Sequence, residues 1–302
     1  MTRVDDDLHI GIKTSPQGVD WPTLDAVWAR IGEQPAFESV WMNDHLTDIG
    51  LDRAGPSWES VTAMAALAHH VPGRWLGHAV LSATFRHPAV TAKAATVLDH
   101  VSGGRFIVGL GAGWFEPEHE PFGIAFPPMP ERFDRFESAV RTIKALCSPD
   151  AATPAGITRD DPFYPLRRAT NDPPPVHPGG PPIWLGGQKR RGIALAAELA
   201  DGWICPAVLP DKSETDMTYF LDRRDAILAA MDAIGRDATG FALVAQVPAG
   251  RTAEHRRAAL EAALRARRGG ATHVIIGIPP SAGPGAVDDA AREIAGPLRD
   301  AA

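Results

Sequence analysis

The most constraining feature of the sequence is an alternation, repeated eight times, between a short apolar run and a longer segment with helical spacing. The fourth helical segment shows this best, because Phe136, Val140 and Ile143 recur three or four positions apart on one face. Eight strand–helix units in 302 residues predict a (β/α)8 TIM barrel, since doubly wound open sheets usually have fewer strands. We predict strands at residues 8–13, 38–42, 76–84, 105–110, 182–186, 202–205, 241–247 and 273–278.

The composition indicates an ordinary soluble protein. Hydrophobic residues make up 44% of the chain and charged residues 22%, which suffices for a substantial core. The net charge is −7 and no long basic run occurs, so nucleic acids and anionic membranes are not expected partners. No window approaches the ~20 apolar residues of a membrane span, and the first residues lack a signal-length apolar run. We therefore expect a cytoplasmic protein that acts on a small molecule, with Cys147 and Cys205 as buried reduced thiols.

Residues 148–182 interrupt the alternation. They are rich in proline and glycine and show neither helical nor strand periodicity. Because proline removes a backbone donor and blocks helix propagation, this segment is predicted to be an insertion loop after the fourth helix. It is either a lid over the barrel mouth or a solvated insertion without a role. Residues 1–302 then form one barrel domain.

The run RFIVGLGAGW at residues 105–114 ends with Gly109, Gly111 and Gly113 at every second position. A dinucleotide-binding turn needs G-x-G-x-x-G followed at once by a helix, whereas here the next helix is delayed to about Glu131. The alternative is the C-terminal end of a barrel strand, where glycine lets the backbone approach a planar ring. This second interpretation is favoured for Gly111 and Gly113. For Gly109, relief of crowding inside the barrel is an equal alternative.

The stretch EPEHE follows this run. Its acids could replace a missing catalytic acid, or the group could resemble a metal site, but it lacks ligand spacing on any regular element. A solvated loop is therefore favoured, and no metal site is predicted. The residues concerned are Glu116, Glu118, His119 and Glu120.

Three stretches together resemble a known family: WMNDHL (41–46), the long segment from AVLSATFRHP to EPEHEPFG (79–123), and PPIWLGGQKRRGIALAAELADGWIC (181–205). They are similar to the bacterial luciferase-like superfamily, and more closely to its branch that uses the deazaflavin coenzyme F420. The resemblance implies a (β/α)8 barrel with an insertion after the fourth helix and a homodimer. It also implies that either F420 or FMN binds at the C-terminal mouth.

The resemblance assigns roles to two residues at the end of the second strand. Asp44 and His45 match an Asp-His pair beside the deazaflavin ring. Asp44 would hydrogen-bond the ring edge or the ribityl chain. His45 would be the catalytic proton donor or acceptor, because an imidazole titrates near neutral pH.

Two further stretches match segments that shape the ring site. In relatives the first contains a non-proline cis peptide, which here would join Ala79 to Val80. The second lies at the end of the GLGAGW run. The cofactor-binding residues implied by these stretches are Ala79, Val80, Leu81, Ser82, Gly111, Ala112, Gly113 and Trp114.

A third match is the phosphate-binding turn after the fifth barrel strand. Two glycines before a helix expose backbone N–H groups, and the helix dipole adds partial positive charge. Three successive cations at such a position indicate an anionic ligand, such as the phosphate and polyglutamate tail of F420. The residues are Gly186, Gly187, Gln188, Lys189, Arg190 and Arg191.

The chain departs from relatives that oxidise a sugar phosphate. They carry an acid where Trp114 stands, and phosphate-binding polar residues where this chain has CPAVLPDK (205–212). We therefore expect hydride transfer between the deazaflavin C5 and a small organic substrate that is more apolar or planar than a sugar phosphate. An FMN-dependent monooxygenase and a noncatalytic flavin-binding protein stay as alternatives. A barrel aldolase or isomerase is disfavoured, because no strand-end lysine or histidine pair is evident in NDH, TFRHP or GAGW.

Overall fold

All eight predicted strands are present in the computed structural model, which describes residues 8–49, 55–206 and 217–301. The third is divided in two, and the predicted insertion contributes an additional pair. The strands are β1 (His9–Thr14), β2 (Ser39–Met42), β3 (Trp75–His78), β4 (Leu81–Ser82), β5 (Phe106–Gly111), β6 (Ile157–Arg159), β7 (Leu166–Ala169), β8 (Ile183–Gly186), β9 (Gly202–Pro206), β10 (Ala242–Pro248) and β11 (His273–Ile278).

Every strand pairing in the main sheet is parallel, and the sheet closes on itself. The order is β3-β2-β1-β11-β10-β9-β8-β5-β4, and pairing of Leu76 with Phe106 joins β3 to β5. Because each strand is followed by a helical layer, the closed parallel sheet confirms the predicted (β/α)8 barrel. The helices are α1 (Trp21–Glu33), α2 (Ser60–Leu67), α3 (Pro88–Ser102), α4 (Met129–Cys147), α5 (Arg190–Leu199), α6 (Met217–Ala233), α7 (Ala253–Arg268), α8 (Gly285–Ala290) and α9 (Gly296–Asp300).

Helix α4 buries the stripe that the sequence indicates. Phe136, Val140, Ile143 and Cys147 lie in the apolar layer between the barrel and its helices, and Phe133 packs at its border. Cys147 and Cys205 are buried reduced thiols, as expected, and burial raises the pKa of each thiol to about 12. Across the described ranges, every helix is too short or too polar to cross a membrane.

Large indoles fill the middle of the barrel interior. Trp41 and Trp184 stack with ring centroids 5.2 Å apart, and both are buried. Glycines on neighbouring strands leave room for them: a Cβ on Gly77 would overlap the Trp41 ring, and one on Gly202 would lie 2.8 Å from Trp184 Cδ1. The barrel interior around these indoles is therefore filled by side chains.

A pocket of about 600 Å³ lies at the N-terminal end of the barrel, next to these indoles. Its walls include Trp75, Glu38 and the stacked rings of His9 and His273, whose centroids are 4.7 Å apart. Burial lowers the pKa of His273 to about 3, so this imidazole is neutral at pH 7. The pocket is at the opposite end from the mouth where the sequence places the site.

The insertion at residues 148–182 contains regular structure that the sequence does not predict. It contains the antiparallel pair β6–β7 and lies along the barrel's side, against α3 and α4. Arg159 donates to Thr142 Oγ1 of α4, and Asn171 donates to Thr96 Oγ1 of α3. The expectation of a wholly irregular segment is wrong, because a proline-rich segment can still form a short hairpin when neighbouring helices supply its partners. The lid and the insertion without a role both stay predictions.

Candidate active site

His45 follows β2 and is held by a buried carboxylate. His45 Nδ1 lies 2.9 Å from Glu118 Oε1, and Glu118 Oε2 accepts the backbone N–H of Leu46 at 2.8 Å. Glu118 is 1% exposed and His45 is 8% exposed. Because a carboxylate accepts, Nδ1 is the donor, which leaves Nε2 to exchange a proton with a ligand. Trp114 and Phe115 contact the imidazole in T-shaped geometry, with centroids at 5.7 and 6.1 Å.

The prediction of a solvated EPEHE loop is wrong for two of its four residues. Glu118 and His119 are each 1% exposed, whereas Glu116 and Glu120 are exposed. Two short 3-10 turns, each opened by a proline, direct the first pair inward. The sequence also allows a catalytic acid from this stretch, and Glu118 places a carboxylate next to His45. Within the described ranges, no three His, Cys, Asp or Glu side chains are grouped to hold a metal ion.

Asp44 lies beside His45 but faces an arginine. Arg86 donates to both carboxylate oxygens of Asp44, at 2.7 and 2.9 Å, and the backbone N–H of Ser82 donates to Oδ2 at 2.9 Å. Arg86 also pairs with Glu59, which caps α2. Asp44 thus joins the end of β2 to β4, and its oxygens are used within the protein rather than presented to a ring.

The third barrel strand breaks between β3 and β4, at the predicted position. The Ala79–Val80 peptide is cis. Ala79 N donates to Met42 O, and Val80 then projects between two glycines: a Cβ on Gly111 would lie 2.8 Å from Val80 Cγ2, and one on Gly186 would lie 3.5 Å from it. The structure therefore brings together segments that are far apart in the sequence.

The glycines of the GLGAGW run have different roles. A Cβ on Gly109 would overlap the carbonyl oxygen of His78, which supports crowding as the reason for this glycine. Gly113 has φ +77°, and a Cβ there would lie 2.9 Å from Thr84 Oγ1. Only glycine meets both conditions at Gly113 without strain.

Ser82 ends a chain of hydrogen bonds with a defined direction. His119 Nδ1 lies 2.9 Å from the carbonyl oxygen of Phe115, so this nitrogen donates. With one ring proton, His119 Nε2 accepts from Thr84 Oγ1 at 2.7 Å, and Thr84 accepts from Ser82 Oγ at 2.7 Å. The Ser82 hydroxyl proton is thereby used, and its oxygen is left as an acceptor for a ligand N–H.

The predicted phosphate turn connects β8 to α5. Gly187 has φ +133° and packs against the backbone of Gly192, and among the described residues no side chain caps α5. Lys189 and Arg190 are exposed, and neither forms an ion pair with a described residue. Arg191 is different, because it turns toward α4 and pairs with Asp134 at 2.6 Å.

Two functional candidates at this end of the barrel are missed by the sequence analysis. Arg223 of α6 lies next to the turn and donates to Gln188 O at 3.5 Å. Lys13 points into the barrel from the end of β1. In the sequence, a strand-end lysine is sought only in NDH, TFRHP and GAGW, so Lys13 is missed. The alternation in LHIGIK could have predicted that Lys13 points inward, because Ile10 and Ile12 pack outward and successive side chains of a strand point to opposite faces. Most of the CPAVLPDK stretch lies outside the described residues.

The residues at the C-terminal mouth fit a planar, hydrogen-bonding and anionic group. Gly111, Gly186 and Gly277 carry no side chain into this space. Asn43 Oδ1 is buried with no hydrogen-bond partner among the described residues, and Lys13 has no carboxylate partner there. Orphaned polar groups of this kind are satisfied by a ligand or by water.

Residues 26–299 match the family described as luciferase-like monooxygenase. The chain belongs to this family. Among curated relatives, it is 32% identical over 218 residues to a phthiodiolone/phenolphthiodiolone dimycocerosates ketoreductase of Mycobacterium sp. (strain JLS), covering 66% of this chain and 54% of the relative. It is 32% identical over 199 residues to an F420-dependent glucose-6-phosphate dehydrogenase of Nakamurella multipartita, covering 65% and 56%.

This luciferase-like chain thus spans little more than half the length of those two relatives. A solved structure of an F420-dependent secondary alcohol dehydrogenase, in complex with an F420–acetone adduct, superimposes with a TM-score of 0.75. The match covers 97% of this chain and 99% of that one at 17% identity, and at this identity it supports the barrel fold alone.

Proposed function

We propose that this luciferase-like chain is a cytoplasmic, coenzyme F420-dependent oxidoreductase. Its substrate is a small organic carbonyl or alcohol, not a sugar phosphate. The observation that carries the proposal is the buried His45–Glu118 pair, set beside a glycine-lined mouth at the C-terminal end of the barrel. Relatives named as an F420-dependent dehydrogenase and as a ketoreductase support the same reaction class.

The cofactor would be held at two places. The ring would lie against Ala79–Ser82 and Gly111–Trp114, where Val80 forms a wall with Gly111 and Gly186 and Ser82 Oγ offers an acceptor. The phosphate would bind at Gly186–Arg190, where uncapped N–H groups and nearby cations favour an anion. Bound F420 supplies the carbon that gives or takes the hydride.

The protein's own contribution is a positioned proton. His45 Nε2 donates to the carbonyl oxygen of the substrate as the hydride arrives, and accepts the hydroxyl proton in the reverse direction. Glu118 fixes the ring through Nδ1 and balances the positive charge of the imidazolium. Asp44 and Arg86 act indirectly, because their ion pair fixes the backbone on which His45 and Ser82 lie.

The substrate class follows from the rings next to His45. Trp114 is 57% exposed at the mouth, and Phe122, further along the same loop, is 54% exposed. Because Trp114 replaces the acid of sugar-phosphate relatives, an apolar substituent next to the reacting carbon is favoured over a phosphate.

We also propose that the protein is a homodimer. Val90, Val97 and Val101 are each more than half exposed and form one stripe on α3. Burying such a stripe against a second copy would remove apolar surface from water. Sedimentation equilibrium measures this directly, and a monomer at all accessible concentrations would contradict it.

The test of function is an anaerobic titration with F420 and with FMN, followed by turnover with a panel of ketones and secondary alcohols. We expect F420 to bind at least about tenfold more tightly than FMN, a difference of about 1.4 kcal/mol. His45→Ala should lower turnover about 100-fold or more with little change in F420 affinity, whereas Glu120→Gln, on the exposed side of the same loop, should change neither. Unchanged turnover in His45→Ala would remove His45 from the mechanism.

A second candidate function is an FMN-dependent monooxygenase, which the description of the matching family favours. Preferential FMN binding together with oxygen consumption would establish it. Tight cofactor binding without turnover across the panel would instead indicate a noncatalytic binding protein.

A further inference from the structure

Lys13 places a positive charge inside the mouth of the barrel. Its strand neighbours Ile10 and Ile12 pack outward, and Thr14 accepts a hydrogen bond from Trp28 in the helical layer, so Lys13 points inward. The ammonium donates to Gln246 Oε1 at 2.5 Å. A Cβ on Gly277 of the neighbouring strand β11 would lie 3.7 Å from Lys13 Cε, so the absence of a side chain at Gly277 leaves room for the lysine stem inside the barrel.

This charge is not balanced within the described part of the protein. Lys13 forms no ion pair there, and burial alone lowers its pKa to about 8. At pH 7 the Lys13 side chain is therefore mostly in its charged ammonium form. Two buried carboxylates at this end of the barrel have partners of their own, because Asp44 pairs with Arg86 and Glu118 pairs with His45. A partly buried cation without a counter-ion is costly and favours an anionic ligand.

We propose that Lys13 is a cofactor-binding residue whose charge stabilises the anionic forms of the deazaflavin ring and thereby favours F420 over FMN. This proposal rests on the proposed function. The ring of F420 carries an ionisable hydroxyl, so its oxidised form can be an anion, whereas oxidised FMN has a neutral ring. A cation within a few ångströms of an ionisable group lowers the group's pKa, and the effect is larger in a poorly solvated site than in water.

The experiment compares Lys13→Met, which keeps length and removes charge, with Lys13→Arg, which keeps charge. Lys144→Met on the exposed face of α4 is the matched control. The absorbance of F420, bound and free, is titrated against pH, and the reduction potential of the bound cofactor is measured with reference dyes. Neither readout depends on turnover.

In the wild type, the hydroxyl of bound F420 should ionise at lower pH than that of the free cofactor. Lys13→Met should raise that ionisation by about one pH unit, a tenfold change in the constant, and weaken F420 binding more than FMN binding. Lys13→Arg should keep most of the shift, and Lys144→Met all of it.

Several outcomes would overturn the proposal. If the wild type binds F420 and Lys13→Met changes neither the ionisation nor the potential, Lys13 is not the counter-charge, although the proposed function stands. If Lys13→Met alters turnover alone, the lysine faces the substrate and the assignment to the cofactor is wrong. If the wild type fails to bind F420, both the proposed function and this inference are wrong.

Discussion

Replacement of Glu118 by glutamine should separate proton positioning from cofactor binding. The carboxylate accepts twice, from His45 Nδ1 at 2.9 Å and from Leu46 N at 2.8 Å. Glutamine has the same shape but a single acceptor oxygen. When that oxygen serves the backbone N–H of Leu46, the amide NH2 faces His45 Nδ1. The imidazole must then accept at Nδ1, and its proton moves to Nε2.

The magnitude follows from the interaction lost. A hydrogen bond to a charged group contributes about 1.5–3 kcal/mol to the states in which it forms, and Glu118 is 1% exposed, so solvent replaces little of it. If the bond strengthens as positive charge develops on His45, turnover should fall about 10- to 150-fold. F420 affinity should change by less than about threefold, because Glu118 does not line the proposed ring wall.

Two measurements check this reasoning. Steady-state kinetics with Glu120→Gln as control give the change in turnover, and nitrogen-15 NMR of labelled histidine reports which nitrogen of His45 carries the proton. We expect the Nδ1–H tautomer in the wild type and the Nε2–H tautomer in Glu118→Gln. A full-rate Glu118→Gln enzyme with the tautomer reversed would refute the link between ring orientation and catalysis.

Three further predictions test other parts of the site. Gly186→Ala should fold normally, because its Cβ would make an ordinary 3.5 Å contact with Val80, but it should lower F420 affinity about tenfold. Gly285→Ala, which has open space around it, is the control. Equal F420 affinity in the two variants would argue against the ring wall. Arg190→Gln should weaken F420 binding about threefold, and the effect should decrease at high salt. Arg191→Gln should leave F420 binding unchanged, because Arg191 pairs with Asp134. Equal effects of the two substitutions would show that Arg190 has no special role in binding the phosphate. The pKa of Lys13 is about 8 in the folded protein and 10.5 for a fully solvated lysine, so between pH 8 and 10.5 the unfolded chain binds more protons than the folded one. The free energy of unfolding of the wild type should therefore rise with pH over this range relative to that of Lys13→Met. At pH 7 urea unfolding should show Lys13→Met to be more stable by about 1–3 kcal/mol, and a less stable variant would show that the charge is satisfied within the protein.

The strands could be predicted because they depend on local pattern. The apolar runs of β1 and β11 are short, β-branched and bounded by polar residues, so periodicity alone identifies them. The cis peptide after β3 could be placed only by resemblance to the family. No local property of Ala79 or Val80 indicates it.

The partners within the site depend on contacts that local pattern does not encode. Glu118 lies 73 positions from His45, and only the path of two 3-10 turns brings it back to the barrel. Arg86 stands in the TFRHP stretch, but nothing in that stretch shows that it binds Asp44 from 42 positions away. Nothing in the EPEHE pattern indicates that Glu118 and His119 are buried while Glu116 and Glu120 are exposed, because tertiary packing decides it.

The stacked Trp41 and Trp184 rings belong to a buried cluster that packs the barrel interior beside the N-terminal pocket. Water and small solutes that enter beside Trp75 and His273 meet indole rather than a route to His45. Amino-acid changes at the N-terminal end can therefore accumulate without altering the chemistry at the other end. On the proposed function, we expect substrate and product to reach His45 through the C-terminal loops, on which Trp114 and Phe122 lie exposed.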